Sequence, residues 1–201
     1  MYNIIINSSS VWTLMVINNI ILYYYDLGTF YYKCWAYFLT FTSILFHGCK
    51  GDENVNINIR YIFGHLDALA IVGISSYYLY CIQYISILSC LIYIYLIKIQ
   101  CIDEKYYKFI IFIIGMILFL KDTYYILIKN NNYLIYLVLF NMFNGNLIFI
   151  LNKGQLHNRE YSLLYKYIWH LGCACYIVQS GYNINEYYHT SVVPIHYGLD
   201  Y

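Results

Sequence analysis

Ser43 and His47 stand four residues apart in "FTSILFHGCKGD" (Phe41–Asp52). That spacing places both side chains on one face of a helix. A hydroxyl and an imidazole on a shared face can hold a metal or a water molecule. Three further ionisable groups interrupt apolar runs: Asp67 in "FGHLDALAIVGIS", and Lys166 and His170 at the two ends of "KYIWH". His65 lies two residues before Asp67. An ionisable group at the centre of a membrane helix costs about 2.5–3.5 kcal/mol on insertion scales, so each needs a reason to be there. Singly, some have plain ones. A helix-end histidine reaches headgroups, a helix serine bonds to its own backbone, and Lys166 can snorkel. Asp67 and His170 are harder to dismiss, because each lies deeper in an apolar stretch.

The elements that must position these groups follow from composition. The chain of 201 residues is 62% hydrophobic, 21% aromatic and 10% charged. Soluble domains carry about 25% charged residues, so the composition is that of a membrane protein. A formal charge of +1 offers no electrostatic basis for a nucleic-acid partner. The 29 tyrosines, with abundant Ile and Asn, fit AT-rich codon usage and carry little functional information. Seven cysteines, an odd number lying mostly in apolar runs, are small hydrophobic residues rather than a disulfide framework. Cys173 and Cys175 form no CxxC pair.

A spanning helix needs about 20 mostly apolar residues. Seven stretches qualify approximately: Val11–Tyr25, Phe30–Cys49, Tyr61–Tyr80, Gln83–Ile99, Tyr106–Leu120, Tyr133–Leu151 and Tyr161–Ser180. The expected fold is therefore all-α, a seven-helix transmembrane bundle over residues 1–180, with a polar tail over 181–201. Lys121-Asp122 breaks the fifth apolar run, which leaves six or eight spans open. The first span lacks a basic leader and a cleavage site, so it is read as a span and not as a signal peptide. Lys and Arg favour the side of the N-terminus: Lys50, Arg60, Lys98, Lys105, Lys108, Lys153 and Arg159 against Lys33, Lys121 and Lys129. The N-terminus is then cytoplasmic. In this layout His47, Asp67, Lys166 and His170 all fall at one membrane face. The sequon Asn7-Ser8-Ser9 falls on the cytoplasmic side, and Gly145-Asn146 marks close packing in the sixth span. The sequence contains no GxxxxGK[ST], GxGxxG or HExxH motif.

The set resembles the CREST superfamily of seven-span membrane proteins, which includes alkaline ceramidases, progestin and adipoQ receptors, and GPI-lipid phospholipases. Its pattern is Ser-x-x-x-His late in the second span, Asp in the third and His-x-x-x-His in the seventh. The matching residues are Ser43 and His47, Asp67 in "HLDALA", and His170 closing "KYIWH". "SILFHGC" looks closest to the GPI-phospholipase branch. The resemblance implies zinc held by histidines, here His47 and His170, with Ser43 and Asp67 positioning water. It implies a membrane lipid amide or ester as substrate. The chain departs from the pattern at the first histidine of the seventh-span pair, which is Lys166, a poor zinc ligand. His65 and Cys173 are the candidate substitutes. Alternatively, Lys166 pairs with Asp67 and replaces the metal's charge.

Three readings stay open. The first is a zinc-dependent lipid hydrolase or a catalytically degenerate relative. The second is a non-enzymatic receptor-like or structural membrane protein. The third is a small ion-coupled transporter using Asp67, Lys166 and His170. All three place the chain in a membrane, as a multi-pass protein of the plasma membrane or an endomembrane.

Overall fold

The computed structural model describes residues 11–12, 16–50, 55–98, 113–114, 117–118, 121 and 159–191, with backbone alone at 50, 159–169 and 187–191. Regular structure among the described residues is entirely helical. α1 covers residues 16–24, α2 Phe30–Lys50, α3 Ile57–Tyr80, α4 Gln83–Lys98 and α5 Arg159–Ser191. Residues 113–114, 117–118 and 121 are also helical. The sixth expected span, most of the fifth, the sequon and Gly145-Asn146 lie outside the described residues.

Local chemistry sets the helix ends. Thr29 caps α2: its Oγ1 accepts from the Tyr32 amide at 3.3 Å. Asn56 caps α3 by accepting from the Asn58 amide at 2.8 Å, so this helix starts at Ile57 rather than Tyr61. α3 ends at Cys81, which takes the left-handed conformation (φ 54°) and donates its amide to the Tyr77 carbonyl. Lys121 donates to the Tyr78 carbonyl at 2.5 Å and sits 4.0 Å above the Tyr78 ring. A cation belongs at the C-terminal end of a helix, where carbonyls are left over. The charge that breaks the fifth apolar run is thus accounted for by the end of α3.

α3 packs against both α2 and α4. Hydrogen bonds tie α5 to α2, α3 and the α1–α2 turn. The Tyr32 hydroxyl donates to the Ile177 carbonyl at 2.8 Å, and Asn183 Nδ2 donates to the Tyr78 hydroxyl at 2.9 Å. Asn185 Oδ1 accepts from the Gly28 amide at 2.8 Å, while its Nδ2 donates to the Asp26 carbonyl at 2.8 Å. Gly28 has φ +75°, which a side chain would strain. The polar stretch after Ser180, expected as a tail, instead continues α5 to Ser191. Gly181, Asn183 and Ile184 are buried in it. Asparagines that look like tail residues in the sequence are inward-facing bonds to the turn. Replacing Asn185 with alanine removes two of them and should lower stability by about 1–3 kcal/mol. Thermal unfolding in detergent should show this as a melting point several degrees lower.

In the same turn, Lys33 pairs with Asp26 and holds its carboxyl below the ordinary value of 3.8. That contribution is present above the unfolded pKa and is lost as pH falls through the lowered folded one. Asp26 is fully exposed, so solvent screens it.

Among the described residues one helix, α3, is long and apolar enough to cross a membrane. Beside the apolar core around Leu22, Tyr32, Ile74 and Tyr77, several polar side chains are buried: Asn18, Asn19, Thr40, Thr42, Ser43, Asp67, His170 and Ser180. The exterior is unusually apolar. On α4 alone, Ile87, Leu88, Leu91, Ile92, Ile94 and Tyr95 are exposed.

Candidate functional site

α2 runs antiparallel to α5, as the pairs Gly28–Asn185, Tyr32–Ile177 and His47–His170 show. This topology brings the last turn and a half of α2 beside the first half of α5. There the two imidazoles meet. His170 Nε2 lies 3.4 Å from His47 Nε2, with ring centroids 4.7 Å apart and planes at 88°. His170 is only 2% exposed. The Phe46 ring meets His47 edge-on at 5.2 Å between centroids. Across the helix pair, Gly64 of α3 lets Phe46 approach: a Cβ there would stand 3.2 Å from Phe46 Cε2.

One turn before His47, Ser43 donates its hydroxyl proton to Asp67 Oδ1 of α3. Both residues are buried, at 5% and 8% exposure. The four candidate residues thus form two direct contacts, one between α2 and α5 and one between α2 and α3. Both contacts start from a single face of α2, because Ser43 and His47 are one turn apart.

The substitute ligands stand elsewhere. His65 turns to α4, with Nδ1 3.0 Å from the Tyr93 hydroxyl and its ring 4.2 Å from that of Tyr61. Cys173 is half-buried and packs against the main apolar cluster. Among the described residues, no three His, Cys, Asp or Glu side chains gather as a metal-holding group. Lys166 lies on α5 one turn before His170; its side chain, and with it the pairing to Asp67, lies outside the described residues.

The distance between the two imidazole nitrogens can be set beside two reference spacings. Tetrahedral zinc with bonds of about 2.0–2.1 Å places neighbouring ligand nitrogens about 3.3–3.4 Å apart. An N–H donor and its acceptor normally stand about 2.7–3.2 Å apart. The observed 3.4 Å is that of a long hydrogen bond whose direction follows the tautomer, and it is also close to the first spacing. Sequence reasoning did not anticipate the inward-facing amides of Asn18 and Asn19, which sit in the "WTLMVINNIIL" stretch read as an apolar span. Adjacent asparagines in an apolar run were the available signal. No protein-family model, curated protein or solved structure matches this chain.

Proposed function

We propose that the chain is a multi-pass membrane hydrolase of a lipid amide or ester, of the kind the CREST resemblance implies. In this reading His47 and His170 hold zinc through Nε2. The observation that carries it is the meeting of those two nitrogens at the edge length of a zinc tetrahedron, from helices 123 positions apart in sequence. The many exposed apolar side chains, together with several buried polar ones, support the multi-pass placement.

Zinc, when bound, supplies a Lewis acid and lowers the pKa of water to about 7. The protein's own residues do the rest. Asp67 orients the attacking water and takes its proton as general base. Water oxygen bonds to the lipid carbonyl carbon, the C–N or C–O bond breaks, and the proton passes from Asp67 to the departing amine or alcohol. Ser43 is a positioning residue: its hydroxyl donates to Asp67 Oδ1 and fixes the carboxylate's orientation. The low exposure of Ser43, Asp67 and His170 strengthens the electrostatic interactions inside the site.

The test is Asp67→Asn, assayed on a panel of lipid amides and esters in mixed micelles. The amide keeps the shape but accepts no proton. We expect kcat to fall by about 10²–10⁴-fold, the usual worth of a general base, with zinc content retained. An unchanged kcat would remove Asp67 from the chemistry.

A further inference from the structure

The α1–α2 turn and the α3–α4 turn lie at one end of the helix cluster. The Thr29 hydroxyl is hydrogen-bonded to that of Tyr77, one turn before the end of α3. The Tyr31 and Tyr77 ring centroids are 6.5 Å apart. Trp35, in the second turn of α2, donates to Gln83 at the start of α4. Asn185 brings α5 to the same end through its bonds to Gly28 and Asp26. The histidine pair and the Ser43–Asp67 bond lie toward the opposite end.

Aromatic side chains crowd the outside of the turn end. Tyr24 and Tyr25 where α1 stops, Phe30 and Tyr31 where α2 starts, Tyr80 closing α3 and Tyr84 opening α4 are each half exposed or more. On α1 and α4 the exposed residues change type with distance from this end. α1 exposes Ile17 and Ile20 before its tyrosines, and α4 exposes Ile87, Leu88, Leu91 and Ile92 after Tyr84. Charge appears at the aromatic level: Lys33 pairs with the exposed Asp26, and Lys121 sits at the end of α3. A tyrosine has a ring for hydrocarbon and a hydroxyl for water, so it is best placed where the two meet. Isoleucine and leucine belong deeper. The sequence aliphatic, aromatic, charged along the helix axes is the sequence hydrocarbon, headgroup, water. A surface shaped for a second copy or for a soluble partner has no reason to be sorted by depth in this way.

We infer that these aromatic residues form a girdle in the headgroup layer of one leaflet, and that the girdle sets the depth of the histidine pair. The inference rests on the multi-pass placement and not on the hydrolase chemistry. From Tyr31 to His47, α2 rises about 24 Å. The hydrocarbon layer is about 30 Å thick, which puts His47 and His170 about 6 Å inside its far boundary, in the leaflet opposite the girdle. Acyl linkages gather at that boundary. The amide or ester that joins a lipid chain to its backbone is then within reach of the pair, whereas a bond at mid-chain is not.

The test uses wild-type full-length protein in phospholipid nanodiscs that contain one of three photoreactive phospholipids. The diazirine sits on the headgroup amine in the first, beside the ester carbonyl in the second and at mid-chain in the third. Adducts are assigned to residues by fragmentation mass spectrometry, and the lipids are compared at each residue. We expect headgroup adducts to exceed mid-chain adducts at least about fivefold at Tyr24 and Tyr84, with the reverse at Leu91 and Ile92. Leu171, half exposed beside His170, should take more of the ester-side label than of the mid-chain label. A mid-chain preference at Tyr24 and Tyr84 overturns the girdle, as does the absence of any lipid adduct there while Leu91 is labelled. A mid-chain preference at Leu171 overturns the depth. If Leu91 and Ile92 take no lipid adduct either, the multi-pass placement fails and the inference falls with it. Catalysis plays no part in the readout, so a chain that hydrolyses no lipid still decides the girdle.

Discussion

Alanine at His47 or at His170 should abolish zinc binding and lipid hydrolysis together. In the proposed site each histidine gives one nitrogen to the metal, so removing either would leave it held by a single imidazole of the described residues. Losing an outer hydrogen bond to a metal ligand costs about 10–100-fold in affinity, and losing the ligand itself must cost more. In the proposed hydrolase, activity should fall at least as far, since the metal would supply both carbonyl polarisation and acidic water. His170 is buried, so its alanine variant also leaves a cavity. His170→Leu separates the two effects. It fills the space and keeps the fold, but should bind no zinc. Inductively coupled plasma mass spectrometry with a thermal melt reads both. Full zinc content in His47→Ala would remove that residue from the metal site.

Gly73→Ala should be the most damaging small change to the fold. The Trp35 indole lies across Gly73, and an added Cβ would stand 2.6 Å from its Cη2 and closer still to Cζ3 and Cε3. No real methyl tolerates that approach, so the ring or the helix must shift. The ring has little freedom. Its Nε1 donates to Gln83 Oε1 at 3.2 Å, and Phe38 packs edge-on against it at 6.0 Å between centroids. Overpacking of this kind typically costs about 1–3 kcal/mol. At about 2–4 °C per kcal/mol for a chain of this size, the melting point should fall by several degrees. Gly73 and Asp67 share α3, so a displaced helix should also disturb the Ser43–Asp67 bond and lower kcat. Combining Gly73→Ala with Trp35→Leu should restore part of the melting point. No recovery would show that the clash lies elsewhere.

Much of the scaffold can be read from hydropathy alone. The apolar runs Phe30–Cys49, Tyr61–Tyr80 and Gln83–Ile99 become α2, α3 and α4 to within a residue at each end, except that the Asn56 cap starts α3 four residues earlier, at Ile57. The end of α5 cannot be read that way. "GYNINEYYHT" looks like a tail, since its asparagines look polar until Asn183 and Asn185 find Tyr78 and the α1–α2 turn. The partners that satisfy them are far away in sequence, and a hydropathy scale scores only the residue itself.

The same distinction applies at the site. The four-residue spacing of Ser43 and His47 predicts a shared face, and both side chains make their contacts from it. Which partner each takes depends on helix order in space. Ser43 reaches Asp67 and His47 reaches His170, an allocation that spacing does not specify. His65 and Asp67 are neighbours in "GHLDALA" but face α4 and α2 respectively, because two residues along a helix are about 200° apart.

X-ray absorption at the zinc edge and metal analysis of the purified wild-type protein ask whether His47 and His170 hold a metal. The proposal predicts close to one equivalent of zinc with nitrogen scatterers at about 2.0–2.1 Å, and their loss in His47→Ala. A preparation supplied with zinc that holds less than about a tenth of an equivalent, or whose zinc shows no imidazole signature, would contradict it.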